Sequence, residues 1–228
     1  MSRSSGSMKT RDKILQEAKR QLNEEGLDRV TIRSIASALE ISPGNLTYHF
    51  KNVDAIIYEL YLQLVEALSQ SIEVFHPDKL STKWFYDQSV SNFAVMWDYR
   101  FLLLDFVTIT RRIRPIKEHF RQLVTLRQLQ FRMFADQMIA NDIMQEERVP
   151  GLYDRFILQM IIYSDAWLSD ALVHFDTHGE HVYHFYADLM VSSLVPYLTE
   201  KGLKEYLAWK ADRKEPPFRG YPSILGKM

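Results

Sequence analysis

The sequence predicts an all-α protein. Apolar residues recur at three- and four-residue steps along nearly all of its 228 residues, and only eight glycines and eight prolines interrupt them. That is the pattern of helices that each bury one face. Hydrophobic residues at 46% and charged residues at 25% are ordinary for a folded chain and exclude collagen-like or low-complexity architectures. At this length, one large domain or a small one joined to a larger one is expected.

The opening MSRSSGSM has no apolar segment of the export-signal kind and is expected to be a flexible arm or an expression scar. The first helix is expected over Thr10 to Glu25, with Thr10 as N-cap and Ile14, Ala18 and Leu22 on one face. Gly26 stands at the C′ position, where φ is positive. A second helix follows the cap Thr31 and carries Ile32, Ile35, Ala36 and Leu39. Ser42 caps a third, whose first turn holds Pro43, a position where a missing N–H costs nothing.

A longer fourth helix is expected from Asp54 to about Phe75, stopped by His76-Pro77-Asp78 because proline disfavours helix at the residue before it. Then come Tyr86, Val90, Phe93 and Trp97 on one helix, a short segment around Leu102 to Ile109, and a long helix after Pro115 reaching Met138. Pro150-Gly151 precedes a helix over Leu152 to His174. Another spans Glu180 to Leu198 with Pro196 kinking or ending it, and Leu203 to Ala211 adds a last turn or two. From Asp212 the tail, with Pro216, Pro217, Gly220, Pro222 and Gly226, should be extended.

With 28 basic and 29 acidic residues, no global field draws the chain to nucleic acid or to an anionic membrane. Any such binding is local. No cysteine is present, which excludes disulfides, thiolate metal sites and a cysteine nucleophile and fits a reducing compartment. No apolar run comes near the ~18 residues of a spanning helix, so no membrane association is expected.

The informative stretch is TIRSIASALEISPGNLTYHF, residues Thr31 to Phe50, where two short capped helices meet across a turn of about three residues. This is the arrangement of a DNA-reading helix-turn-helix. Ala36 suits the point where the helices cross, and Ile35, Leu39, Ile41 and Leu46 are expected to fill a small core against Ile14, Ala18 and Leu22. Asn45, Thr47, Tyr48, His49 and Lys51 then face outward, with tips that reach base edges and phosphates in a major groove about 12 Å wide. Gly44 removes a side chain where the helix start approaches the DNA backbone closely. The helix starts at Thr31 and Ser42 offer N–H donors to phosphates, and Arg33 and Lys51 flank the reading helix. Lys9, Arg11 and Lys13 add a modest basic patch, too small for tight binding by one copy. Two copies are therefore expected.

Residues Thr10 to Tyr61, and above all ISPGNLTYHFKN followed by a long fourth helix, resemble the DNA-binding domain of TetR/AcrR-family transcriptional regulators. The resemblance covers about a fifth to a quarter of the chain. It departs at Glu40, where the family commonly has glycine, at Val53, where the family often has a phosphate-contacting lysine, and at Thr47, where the family's usual residue is tyrosine. It implies a division into 9–53 for DNA binding, 54–211 for effector binding and dimerisation, and 212–228 as a tail. It also implies a cytoplasmic homodimer, a repressor by default, that binds a palindromic site on double-stranded DNA and is released by a small-molecule effector. An effector-independent DNA-binding or partner-protein adaptor of the same fold is the alternative.

All but two of the 29 aromatic residues lie after residue 53. Bundles that leave a cavity line it with rigid rings and adaptable methionines. Phe93, Met96 and Trp97 are expected to face Phe131, Phe134 and Met138, with Met160, Tyr163 and Trp167 beyond and Arg127 and Gln130 fixing a polar head group. An aromatic or lipophilic occupant is favoured. The resemblance puts the dimer interface on the last two long helices, at Ile161, Ile162, Trp167, Leu168, Ala171 and Leu172, then Val182, Phe185, Tyr186, Leu189, Met190 and Ser193. Two reading helices about 34 Å apart would then address successive turns of the duplex.

His174, His178, His181 and His184, with Asp176 and Glu180, have spacings that could bring metal ligands together, but Gly179 interrupts them and a solvated loop is expected. A metal-dependent enzyme built on them is the reading of a different class. Arg111, Arg112 and Arg114 are expected to form a solvated turn rather than a second phosphate site. With no Gly-rich phosphate loop, no G-x-S-x-G and no H-E-x-x-H, neither enzymatic activity nor a cofactor is expected.

Overall fold

The computed structural model describes residues 9–72 and 80–213. The expectations for the first eight residues, for Phe75 and the stop at His76-Pro77-Asp78, and for the tail beyond Arg213 lie outside the described residues.

Eleven α-helices occupy the described residues: α1 (Thr10–Glu25), α2 (Ile32–Ala38), α3 (Pro43–His49), α4 (Val53–Ile72), α5 (Thr82–Asp98), α6 (Arg100–Leu104), α7 (Phe106–Arg112), α8 (Arg114–Ala140), α9 (Leu152–His174), α10 (Glu180–Ser192) and α11 (Glu200–Ala211). Among these residues there is no strand, only an isolated antiparallel bridge between Met144 and Leu198.

The local chemistry of the termini departs from expectation at several places. Lys9, not Thr10, is the N-cap of α1; its extended carbonyl receives the Asp12 and Lys13 amides, and no side chain caps the helix. Helix α4 begins one residue early because the Asn52 carboxamide accepts the Ala55 N–H at 2.9 Å. The segment expected around Leu102 to Ile109 is two helices divided at Asp105. Helix α10 ends at Ser192, six residues before the expected end, since Pro196 lacks an N–H and its ring would clash with the Ser192 carbonyl. The chain continues as a 3-10 turn over Val195–Tyr197. Helix α11 starts three residues early, because the Thr199 hydroxyl accepts the Gly202 N–H at 3.0 Å.

The chain divides into two compact units. The first comprises the described residues up to Ala67 together with Asp98–Lys117, so it contains not only the expected 9–53 but most of α4, all of α6 and α7, and the start of α8. Its core is Ile14, Leu15, Ala18 and Leu22 of α1 with Ile35, Ala36, Leu46 and Phe50, and with Ile56, Ile57 and Leu60 of α4. Leu39 and Ile41, expected in this core, are only half-buried. Ile109, Ile113 and Ile116 are also buried in the unit. Long-range links tie its parts together: Asn23 to Asp98 and Phe101, Arg11 to Glu59, and Arg112 to Asp54.

The second unit comprises Leu68–Trp97 and the chain from Glu118 onward. Phe93 lies against Trp167 at 4.7 Å, Phe85 against Phe134 at 5.1 Å, and Trp167 against Tyr186 at 5.2 Å between ring centres. By length and apolar content α9 would pass for a membrane span, contrary to the expectation from the sequence. It buries nine of its own residues, from Tyr153 to Ala171, as a core helix does. Helix α11 is fixed by Trp209 Nε1 to Thr82 at 2.9 Å and by Lys210 to both Asp188 oxygens at 2.9 and 3.0 Å.

Candidate nucleic-acid interface

Two caps set the helix-turn-helix. Thr31 Oγ1 accepts the Ser34 N–H while Ser34 Oγ accepts the Thr31 N–H, both at 3.0 Å, a reciprocal pair that starts α2. Ser42 Oγ accepts the Asn45 N–H at 3.1 Å, with Pro43 in the first turn of α3. The turn between them closes through Ile41 N–H to the Ala36 carbonyl at 3.0 Å, and Glu40 sits there at φ 54. A non-glycine residue in that region costs about 1 kcal/mol.

Gln21 of α1 is buried and polar. It donates to Glu17 at 2.8 Å and to the Ser34 carbonyl at 3.3 Å, and it accepts the Ser34 hydroxyl at 2.8 Å. This joins α1 to the start of α2. Neither Gln21 nor Asn23 was legible as a structural residue, because polar side chains in an amphipathic pattern are assigned to solvent.

On α3, Leu46 is fully buried, while Pro43, Gly44, Asn45, Thr47 and Tyr48 face outward; Tyr48 is 86% exposed. A large aromatic held in solvent beside a buried leucine is an unusual expense unless another surface covers it. His49 is half-buried and packs edge-on to Tyr48 at 5.4 Å. Thr47 donates to the Gly44 carbonyl at 3.0 Å. Nothing inside the chain requires glycine at 44, where an added Cβ would meet only Ser42 Oγ at 3.8 Å. Thr31, Arg33 and Lys51 are also exposed. Arg11 is committed within the unit, to Glu59 at 2.8 Å and over the Phe50 ring at 5.1 Å.

In the second unit the expected effector set divides in two. Phe93 and Trp167 meet, but Phe131 and Phe134 pack on Phe85, and Phe134 also on Trp84, while the ring neighbours of Trp97 include His178 and Tyr183. Met96, Met138 and Met160 are buried; Gln130 is half-buried. Arg127 was expected to hold a head group. Instead it donates to Asp165 at 2.9 Å and Ser164 at 2.5 Å. Burial raises the Asp165 carboxyl above its ordinary range against the pull of that guanidinium. Tyr163 donates to the Tyr186 carbonyl at 2.8 Å. The indole N–H of Trp167, by contrast, is buried with no hydrogen-bond partner among the described residues.

Most of the expected dimer face is internal. Ile161, Trp167, Leu168, Ala171, Val182, Tyr186 and Met190 are buried within the second unit, because both helices spend their widest apolar faces on its core. The outward apolar residues are instead Leu158, Ile162 at 66%, Leu172 and Val173 at 78% exposed on α9, and Leu189 on α10. Phe185 and Ser193 are half-buried. The four histidines do not converge: His174 faces Asp170, His178 stacks on Trp97, His181 contacts Thr177, and His184 bonds Tyr86. The loop between α9 and α10 is exposed at Asp176, Thr177 and His178, as expected, while these histidines also make contacts within the chain.

A short exposed helix set across a capped partner by a tight turn defines a helix-turn-helix unit of the kind that reads DNA. Residues 14–60 match the family model described as bacterial regulatory proteins, tetR family, and residues 63–206 match the model described as TetR, a bacterial transcriptional repressor. The chain belongs to the TetR family of transcriptional regulators. None of the curated proteins matches it.

Solved structures share the fold. A TetR-family transcriptional regulator from Marinobacter aquaeolei VT8 superposes with a TM-score of 0.80 at 23% identity, over 90% of this chain and 98% of that one. A TetR transcription regulator from Haloarcula marismortui gives 0.63 at 15% identity, over 83% and 98%. The ketosteroid transcriptional regulator KstR2 of Mycobacterium tuberculosis gives 0.54 at 17% identity, over 87% and 100%.

Proposed function

We propose that the protein is a cytoplasmic, ligand-responsive repressor that binds a palindromic operator as a homodimer. The observation that carries the reading is the outward face of α3, where Asn45, Thr47 and Tyr48 stand in solvent around the buried Leu46. Thr31, Arg33, Ser42, Gly44, His49 and Lys51 complete the surface, with base contacts assigned to Asn45 and Tyr48 and backbone contacts to Lys51 and the helix starts. The dimer forms on Leu158, Ile162, Leu172, Val173 and Leu189, since so much apolar surface on adjacent helices is characteristic of a covered face. Binding of the protein to duplex DNA from upstream of its own gene, followed by fluorescence anisotropy, tests this. Tyr48→Ala and Lys51→Ala are expected to weaken binding without lowering the melting temperature, and unchanged affinity refutes the assigned surface.

Effector release acts as a two-state equilibrium, shifted only by the ligand's differential affinity for the two arrangements. The buried, unsatisfied Trp167 N–H supports a lipophilic effector with a hydrogen-bond acceptor, because an unpaired buried donor costs about 1–3 kcal/mol that a ligand oxygen would recover. The commitment of Arg127 and Tyr163 to internal partners favours the second reading, an effector-independent regulator with a solid core. A thermal-shift screen with lipophilic ketones and acids separates them: a true effector raises the melting temperature by mass action, and Trp167→Phe removes the gain.

A further inference from the structure

The charges of the first unit are distributed unevenly. Its described residues up to position 67 hold eight basic and nine acidic groups, whereas residues 98–117 hold five basic and two acidic ones. The positive surplus of the DNA-binding unit thus comes from the stretch running through α6 and α7 into the start of α8 and not from the helix-turn-helix.

The structure places that surplus at a particular spot. Arg112, in the last turn of α7, pairs with Asp54, in the first turn of α4. Helix α4 begins at Val53, two residues after the exposed Lys51 and four after the end of α3. Ile109, Ile113 and Ile116 are buried and fix the inner side of the α7–α8 junction, while Arg111, Arg114 and Lys117 are exposed on its outer side. Arg114 and Lys117 lie three residues apart in the first turn of α8 and so share a face. Asp54 alone would repel a phosphate at the head of α4; Arg112 neutralises it and holds the other cations close by.

We propose that Arg111, Arg114 and Lys117 form a second DNA-backbone contact, engaging phosphates beyond those reached by α3. This rests on the DNA-binding reading above. Guanidinium groups suit the role, since their fork of donors matches two phosphate oxygens. The contact reads no bases, so it strengthens binding to any sequence alike and makes the affinity more salt-dependent.

The test measures affinity of the full chain, over a series of KCl concentrations, for a duplex of arbitrary sequence about 30 base pairs long and for duplexes from upstream of its gene. Arg111→Ala/Arg114→Ala/Lys117→Ala is expected to make the slope of log affinity against log salt shallower by about two to three per bound protomer on both kinds of duplex, since each phosphate contact contributes about 0.9. The Arg111→Lys/Arg114→Lys variant keeps the wild-type slope, which separates lost charge from lost fold. Lys201→Ala/Lys204→Ala, with exposed cations of the second unit removed, also keeps it. If the wild type binds and the triple alanine variant has an unchanged slope, the proposal is overturned while the DNA-binding reading stands. If the wild type binds no duplex at any salt, both fall.

Discussion

Asn23 accepts the Phe101 N–H at 3.1 Å and donates to the Asp98 carbonyl at 2.9 Å, so one side chain of α1 caps the start of α6 from 75 or more residues away. The N-cap of α6, Tyr99, makes no side-chain cap bond of its own, and Lys19 lies over its ring at 4.3 Å. Two such hydrogen bonds contribute about 1–2 kcal/mol together. Asn23→Ala should lose that amount in urea unfolding, and Asn23→Asp, which keeps the acceptor but not the donor, should lose less. Equal stability of all three proteins would show the clasp to be inert.

The caps of the two short helices should matter out of proportion to their size, because seven-residue helices have little propagation to offset a lost nucleus. Thr31→Ala and Ser42→Ala are each expected to cost about 1 kcal/mol, whereas Ser42→Gly costs a few tenths. Chemical denaturation measures both. Ser42→Ala should also weaken DNA binding more than its stability loss alone accounts for, since it frays the start of the reading helix.

Gly202 has a strict steric reason. A Cβ there would stand 2.1 Å from the Ile143 carbonyl oxygen, which is backbone and cannot swing aside. Gly202→Ala should therefore cost about 1–3 kcal/mol or more, and limited proteolysis should cut first in or beside α11. A variant as stable and protease-resistant as the wild type would mean that the contact yields easily.

His184 gives the second unit an acid-sensitive joint. Its imidazole bonds Tyr86 at 2.5 Å, and burial together with Arg213 lowers its pKa below the usual histidine value; Glu180 and Asp87 pull weakly the other way. Tyr86 itself is pushed up to about 12 by burial, so its phenol keeps its proton throughout. With the folded value depressed, the unfolded chain binds the proton first. Stability from this group is complete above pH about 6.5 and is lost as the pH falls through the lower folded value. The melting temperature should drop between pH 7.5 and 5, and His184→Gln should flatten that slope; a variant with the same pH dependence would acquit the residue.

The helices were largely legible because apolar periodicity and caps are local signals. Thr31, Ser42 and Pro43 stand where their chemistry puts them, and Glu40 at φ 54 occupies the turn position marked by its departure from glycine. The outward positions of Asn45, Thr47 and Tyr48 on α3 followed from the same logic, once Leu46 was assigned to the core, whereas His49, also expected outward, is half-buried beside Tyr48.

What escaped was long-range. No local pattern distinguishes the apolar residues of α9 that meet their own core from those that meet solvent, so Ile161 and Leu168 were placed outside and Val173 was overlooked. Arg127 read as a ligand anchor only because Asp165, 38 positions on, could not be seen to be its partner. The family resemblance implied a division after residue 53, but nothing local announces that residues 98–117 return to the first unit.

That return has a practical side for anyone wishing to retarget the regulator. Grafting only the leading sixty residues from a relative would orphan the Asp98 and Phe101 backbone and remove Asp54 from Arg112. A working chimaera has to carry both stretches from the same donor, because the recognition head is encoded in two pieces of the gene.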